Sequence, residues 1–150
     1  MIKVETIGML DRAVINPVLK ADKDVTNYTF ITADGDLYLI SNTIVGDDSY
    51  VDGATLKAGE CLNGYLVKAF EGQKLVVDEK HIAYGDGQTY ANITAGTTLL
   101  KVNADGKLEI TVSAPTEGVY FKVTDKTTLT GKAVKVKVVI AGNESEVGSY

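Results

Sequence analysis

Three observations predict an all-β fold: a high content of β-branched residues, period-two alternation of apolar and polar side chains, and turn-forming dipeptides at short intervals. Val, Ile and Thr account for 44 of the 150 residues, a share that suits pleated, half-buried strands and disfavours a mainly helical chain. From Lys132 to Ile140, the residues Val134, Val136, Val138 and Ile140 fall on one face while Lys135 and Lys137 fall on the other, the pattern of a half-buried strand. The pairs Asp34-Gly35, Asp52-Gly53, Asn63-Gly64, Glu71-Gly72 and Asp105-Gly106, with Gly85-Asp86-Gly87, mark reversals, because Gly supplies positive φ and Asp or Asn tolerates it. The expected architecture is a compact sandwich or partly open barrel of short antiparallel strands with an extended N-terminal arm.

Taken in order, residues 1–25 are predicted to form that arm. A helical pattern over Gly8 to Lys20 is interrupted at Asn16-Pro17, and the residue before a proline is pushed toward extended backbone. Residues 26–150 form one β-rich domain. Its first hairpin joins Asn27-Tyr28-Thr29-Phe30-Ile31 to Leu37-Tyr38-Leu39-Ile40 across Asp34-Gly35. Leu108, Ile110 and Val112 alternate with Lys107, Glu109 and Thr111, and Val119, Phe121 and Val123 alternate with Tyr120 and Lys122, giving two further strands. The run Ala114-Pro115-Thr116-Glu117-Gly118 reads as a loop within the domain, with a C-terminal hairpin lobe from 115 as the alternative. The polar, Gly- and Ser-containing stretch from Ala141 to Tyr150 is expected to fray at its end.

Composition narrows the function classes. With 15 Lys and Arg against 20 Asp and Glu the net charge is −5, and the densest basic cluster is the strand-like set Lys132, Lys135 and Lys137, so no nucleic-acid partner is expected. No apolar run is long enough for a transmembrane helix, and no charged n-region, apolar h-region and cleavage site open the chain. A soluble protein made in the cytoplasm, with no membrane partner, is the expectation. A chain of this length buries enough surface to fold without disulfides or metal, in keeping with a single cysteine, Cys61.

No catalytic set assembles from the chemistry-bearing residues. His81 is the only histidine, so a His-based zinc site of three or four ligands cannot form within one chain. Cys61 lies in no family signature, and no Gly-x-Ser-x-Gly elbow is present for His81 to serve. Asp34, Asp36, Asp47, Asp48 and Asp52 lack the alternating series ending in Glu that defines a calcium loop and are better explained as turn residues. Gly85-Asp86-Gly87 has neither the GK[ST] ending nor the following helix of a phosphate loop. The sequons at Asn27, Asn92 and Asn143 have no secretory leader beside them. Paired carboxylates for glycoside chemistry remain open in principle, but there is no tryptophan to stack on a sugar. No catalytic, cofactor-binding or metal-binding residue is assigned, and a non-enzymatic protein that binds by strand addition or surface docking is expected.

The stretch from Val51 to Val77, with Ala58-Gly59-Glu60-Cys61-Leu62-Asn63-Gly64-Tyr65-Leu66-Val67 leading to Glu71-Gly72, resembles the decoration (head auxiliary or cement) proteins of tailed bacteriophages. Asn16-Pro17-Val18-Leu19-Lys20 leading into Asn27-Tyr28-Thr29-Phe30 is similar to small proteins that accompany phage head genes. The resemblance covers the first two-thirds of the chain; the strands from Pro115 onward have no counterpart in it. It implies a homo-oligomer, a trimer favoured, that sits on the outer capsid surface of the virion and clamps neighbouring copies of the major capsid protein. It also implies a docking arm comprising Ile2, Val4, Ile7, Val14, Ile15, Pro17, Val18 and Leu19. Two rival readings are a carbohydrate-binding β-sandwich, which needs an exposed row of tyrosines such as Tyr28, Tyr38, Tyr65, Tyr84 or Tyr90, and another virion protein of the tail or head fibre.

Overall fold

The period-two segments become strands wherever their apolar face has a second sheet to pack against. In the computed structural model the residues described are 2–4, 15–20, 22–26, 28–40, 55–59, 61–127 and 131–144. The architecture is all-β, with one sheet curled into a half-barrel. The strands are β1 (Ile2–Val4), β2 (Ile15–Lys20), β3 (Val25–Thr26), β4 (Phe30–Ala33), β5 (Asp36–Ile40), β6 (Thr55–Leu56), β7 (Cys61–Leu66), β8 (Lys74–Asp78), β9 (Ile82–Ala83), β10 (Leu99–Val102), β11 (Leu108–Thr111), β12 (Val119–Lys126) and β13 (Ala133–Ile140). Single 3-10 turns occupy Val67–Phe70, Glu79–His81 and Tyr90–Asn92. Among the described residues no helix is long and apolar enough to cross a membrane.

A seven-stranded sheet runs in the order β1-β8-β13-β12-β10-β11-β9, a four-stranded sheet in the order β2-β7-β5-β4, and β3 pairs with β6. All pairings are antiparallel except β11 with β9. The core lies between the two larger sheets. Val134, Val136 and Val138 of β13 are 1%, 0% and 0% exposed, as the alternation predicts, but Ile140 is only partly buried and Lys137 and Val139 on the opposite face are buried as well, so this inner strand is covered on both sides there and is not half-buried. Across from Val134, Val136 and Val138, Phe30 of β4 meets Phe121 of β12 with ring centroids 5.5 Å apart. Each such side chain contributes about 1.5–3 kcal/mol on burial, so this double layer stabilises the molecule without a disulfide. Val112 departs from expectation: β11 stops at Thr111, and Val112 lies beyond it, fully exposed.

Within the predicted arm, residues 2–4 and 15–20 are extended, and they do not stand apart from the sheets. β1 pairs with β8, matching Ile2 to Val77 and Val4 to Leu75, and β2 pairs with β7. An isolated extended segment leaves its main-chain groups to water, whereas an open sheet edge satisfies them and buries the side chains as well. At the other end, β12 and β13 are inner strands of the seven-stranded sheet, and Phe121, Val123, Val134, Val136 and Val138 belong to the main core. β12 and β13 are thus part of the main sheet and core.

Asn63-Gly64 is not a reversal either, because both residues lie inside β7. A Cβ added at Gly64 would sit 2.7 Å from Leu19 Cδ2 and 3.2 Å from Tyr38 Cβ, so the glycine lets neighbouring strands approach, the other use of Gly within a sheet. Glu71-Gly72, Asp86-Gly87 and Asp105-Gly106 are turns as read, with Gly72, Gly87 and Gly106 all at positive φ. Asp52-Gly53 lies outside the described residues.

Candidate functional site: an open strand edge in a groove

The hairpin of β4 and β5 turns on two residues, Asp34 at φ 52° and Gly35 at φ 81°, the positive-φ pair that matches strand twist. Such a turn makes its flanking residues, Ala33 and Asp36, a hydrogen-bonded pair; alternation along the ladder then makes Ile31 and Tyr38 the next, leaving Phe30 and Thr32 with main-chain groups directed away from β5. Two hydrogen bonds fit this phase. Phe30 N–H donates outward to the carbonyl of Gly106 at 3.0 Å, and Ile40 N–H donates to the carbonyl of Thr29 at 2.9 Å.

At its start β4 carries a bulge. Tyr28 N–H donates to the carbonyl of Ile40 at 2.8 Å, so Tyr28 and Thr29 together oppose Ile40, with Tyr28 in the left-handed region at φ 65°. The bulge sends the Tyr28 ring into the core, 6% exposed, where it meets the His81 ring edge-on at 5.7 Å. Strain at Tyr28 is thereby offset by burial of a large ring.

β4 forms an edge of the four-stranded sheet, and its free side lines two adjoining clefts. One, of about 450 Å³, runs between residues 29–33 and residues 102–106, with Lys20, Asp22 and Lys23 also on its walls. The other, of about 570 Å³, continues past Thr32 toward Pro115, Gly118 and Val119. Thr32 and Val102 belong to both, so one groove follows the strand edge with Thr32 at its centre. Its charges come in both signs: Lys68 Nζ lies 2.9 Å from Asp36 Oδ1, and Lys101 Nζ lies 3.7 Å from Glu109 Oε1. The groove suits an extended polypeptide whose main chain adds beside Thr32 better than a small molecule held by convergent side chains.

The groups singled out for chemistry are accounted for by structure. His81 is buried at 8% exposure against Tyr28. Asp34 occupies its turn position, and Asp47, Asp48 and Asp52 lie outside the described residues. Cys61 lies in β7. Asn92 caps a 3-10 turn, its side-chain oxygen accepting the Thr89 N–H at 2.7 Å. Among the described residues no three His, Cys, Asp or Glu side chains form a group that could hold a metal ion.

A second polar cluster was not visible from sequence spacing, because it joins residues 36 and 43 positions apart. Tyr90, 7% exposed, places its hydroxyl 2.8 Å from the Ala133 carbonyl and also against that of Thr127, one proton serving two acceptors. Lys126 Nζ donates to the carbonyls of Tyr90 and Ile93, each at 2.8 Å, and sits 4.5 Å from the Tyr90 ring centroid. Nearby, Tyr84 donates to Glu79 Oε1 at 3.2 Å. Burial, and then the Glu79 carboxylate, push the Tyr84 phenol up to about 12. These contacts fasten the mouth of the β12–β13 hairpin to the 79–93 segment.

The tyrosines proposed for sugar stacking do not form an exposed row. Tyr28 and Tyr90 are buried in the main core, Tyr65 and Tyr84 pack against it, and Tyr38 packs against the smaller cluster of Leu19, Val25 and Ile40. Of the docking-arm residues, Ile2 and Leu19 are core side chains at 3% and 6% exposure, and are not surface groups awaiting a partner. Val4 lies in β1, and Ile15, Pro17 and Val18 lie in β2, strands hydrogen-bonded within the molecule. Ile7 and Val14 fall outside the described residues. No protein-family model, curated protein or solved structure matches the chain.

Proposed function

We propose that this chain is a non-enzymatic structural protein of a viral particle, one that docks on the outer surface of a phage capsid and stabilises the lattice of the major capsid protein. The observation that carries the docking is the open edge of β4, where Thr32 directs its main chain into a groove walled by residues 102–106 and by the loop from Pro115 to Val119. The resemblance of the 51–77 stretch to decoration proteins supplies the partner. An extended segment of a capsid subunit adds beside β4; main-chain hydrogen bonds provide affinity and the groove walls provide specificity.

Weak contacts suffice for this task, because a shell presents many equivalent sites and an oligomer, a trimer favoured, engages several at once. A ligand that binds the assembled lattice and not its dissociated subunits stabilises the lattice by mass action. The test is co-sedimentation with phage capsids that lack their auxiliary protein, comparing the parent chain with Thr32→Pro. Proline at Thr32 deletes one outward N–H while leaving the β4–β5 ladder intact, the one kind of position at which an edge strand accepts it. Saturable binding by the parent at a fixed ratio to capsid subunits, lost in Thr32→Pro, is the expected result. Absence of parent binding overturns the capsid reading, and equal binding by a folded Thr32→Pro overturns strand addition at β4.

A further inference from the structure

The lysines conspicuous in the sequence have different fates. Lys132 turns toward Glu79, 4.0 Å away, and toward the Tyr90 ring. Lys137 instead becomes the centre of a row: it is the direct cross-strand partner of Lys74 on β8 and of Lys122 on β12. Directly opposed residues point to the same side of a sheet, so three ammonium-bearing side chains line up across three adjacent strands, on the face opposite Val136 and Val138. Like charges placed so oppose folding, and the protein's net charge is −5, so a cationic row is not a by-product of general basicity.

The row is partly answered from within. Lys74 Nζ lies 3.5 Å from Asp125 Oδ2, and Lys137 has interactions of its own inside the chain. Lys122, half-buried, has no ion-pair partner among the described residues. Lys122 and Lys137 line a cleft of about 360 Å³ together with Thr97, Tyr120 and Glu144. Lys137 is only 3% exposed, and burial followed by the charges of Lys122 and Lys74 lowers its pKa. Lys122 and Lys137 thus share a concave, partly desolvated cleft, where an added anion would relieve their mutual repulsion.

We propose that this cleft binds a tetrahedral oxyanion, a phosphate or sulfate group, with Lys122 as the direct contact and Lys137 and Lys74 as the charges behind it. Glu144 opposes the anion from the same cleft. Its carboxylate is engaged by the Tyr120 hydroxyl at 3.1 Å and the Gly142 N–H at 2.9 Å, which spreads its charge and keeps it to one side. The site is on the outer face of the seven-stranded sheet and is independent of the β4 groove.

The experiment is thermal unfolding of the full chain in sodium chloride, inorganic phosphate and glycerol phosphate at matched ionic strength. Phosphate is expected to raise the parent's Tm above the chloride value by about 2–4 °C. Lys122→Gln is expected to lose that rise and, in chloride, to melt above the parent because one like-charge contact is gone. Glu144→Gln is expected to bind phosphate several-fold more tightly. A Lys122-dependent rise with both phosphate and glycerol phosphate assigns the site to phosphomonoesters, and a Lys122-dependent rise with inorganic phosphate alone assigns it to the free ion, whereas the general salting effect of phosphate is common to parent and Lys122→Gln. Equal melting in phosphate and chloride, or an undiminished phosphate rise in Lys122→Gln, overturns the site. Lys122 is only half-buried, so Lys122→Gln is expected to fold and decides the matter.

Discussion

Gly106 is where the hairpin of β10 and β11 touches the first residues of β4, and replacing it with alanine tests how the two larger sheets are held together. Its φ is +78°, and a Cβ there would lie 2.3 Å from Thr29 Cγ2 and 2.6 Å from the Phe30 carbonyl oxygen. Gly35 provides the control: its φ is +81° but nothing lies within 4 Å of the added Cβ. Gly35→Ala should therefore cost only the left-handed conformation of an L-residue, about 1–2 kcal/mol. Gly106→Ala carries that same cost, and a backbone oxygen cannot swing aside as a side-chain tip can, so the turn must also retreat from β4. Retreat stretches the Phe30 N–H bond to the Gly106 carbonyl, 3.0 Å long, worth about 1 kcal/mol, and loosens the packing around Phe30. The expected total is about 3–4 kcal/mol. In urea, with a slope of about 2 kcal/mol/M, the two alanine variants should differ in midpoint by about 1 M. Midpoints within about 0.3 M of each other would refute the reasoning, since the left-handed backbone would then be the whole effect.

Tyr90→Phe removes the hydroxyl shared by the Thr127 and Ala133 carbonyls and is expected to cost about 1–3 kcal/mol in urea unfolding; a change below about 0.5 kcal/mol would show that those carbonyls find other partners. Tyr84→Phe is expected to abolish the phenol ionisation near 12 in an ultraviolet absorbance titration, because burial and the Glu79 hydrogen bond raise that group. Asp24 accepts the Ala58 N–H at 2.9 Å and a Lys57 Nζ bond at 3.3 Å, which hold its carboxyl below the usual value of 3.8. A depressed folded-state pKa contributes stability that is present above the unfolded value and lost as pH falls through the folded one; Asp24→Asn is therefore expected to flatten the acid limb of the stability curve below about pH 4, and an unchanged limb would count against it.

Legibility of the fold followed the range of the forces involved. The core face of β13, Val134, Val136 and Val138, could be read because its apolar residues recur at the strand period, but the burial of Lys137 on the opposite face could not. The Asp34-Gly35 hairpin could be read because two positive-φ residues between apolar runs leave few other solutions. Gly64 misled, since a glycine that admits Leu19 and Tyr38 has the same local signature as one that turns the chain. β1 and β2 were legible as extended but not as sheet strands: nothing in Ile2-Lys3-Val4 says that its partner is β8, some seventy residues on. The groove was invisible for the same reason, as it requires residues 29–33 and 102–106 to face each other. The lysine row was glimpsed only along β13, because its other members arrive from different strands.

An open β edge is normally a hazard, and among the described residues four strands, β1, β9, β2 and β4, end the two larger sheets. β1 has three residues and β9 two, too short to template much pairing. β2 carries Pro17 and an irregular register between Asn16 and Leu19, which removes a donor and bends the edge away. β4 follows a bulge at Tyr28 and Thr29, but from Phe30 to Ala33 it has neither a proline nor a register shift. Over those residues it is regularly paired to β5, and of its two outward N–H groups the one on Phe30 has a main-chain acceptor among the described residues, the Gly106 carbonyl. Thr32 is left directed into a walled groove instead of onto an open surface. On the proposed strand addition, walls that carry charges of both signs keep out indiscriminate pairing while admitting one extended segment of matching shape, so Thr32→Pro is expected to abolish docking with little loss of stability.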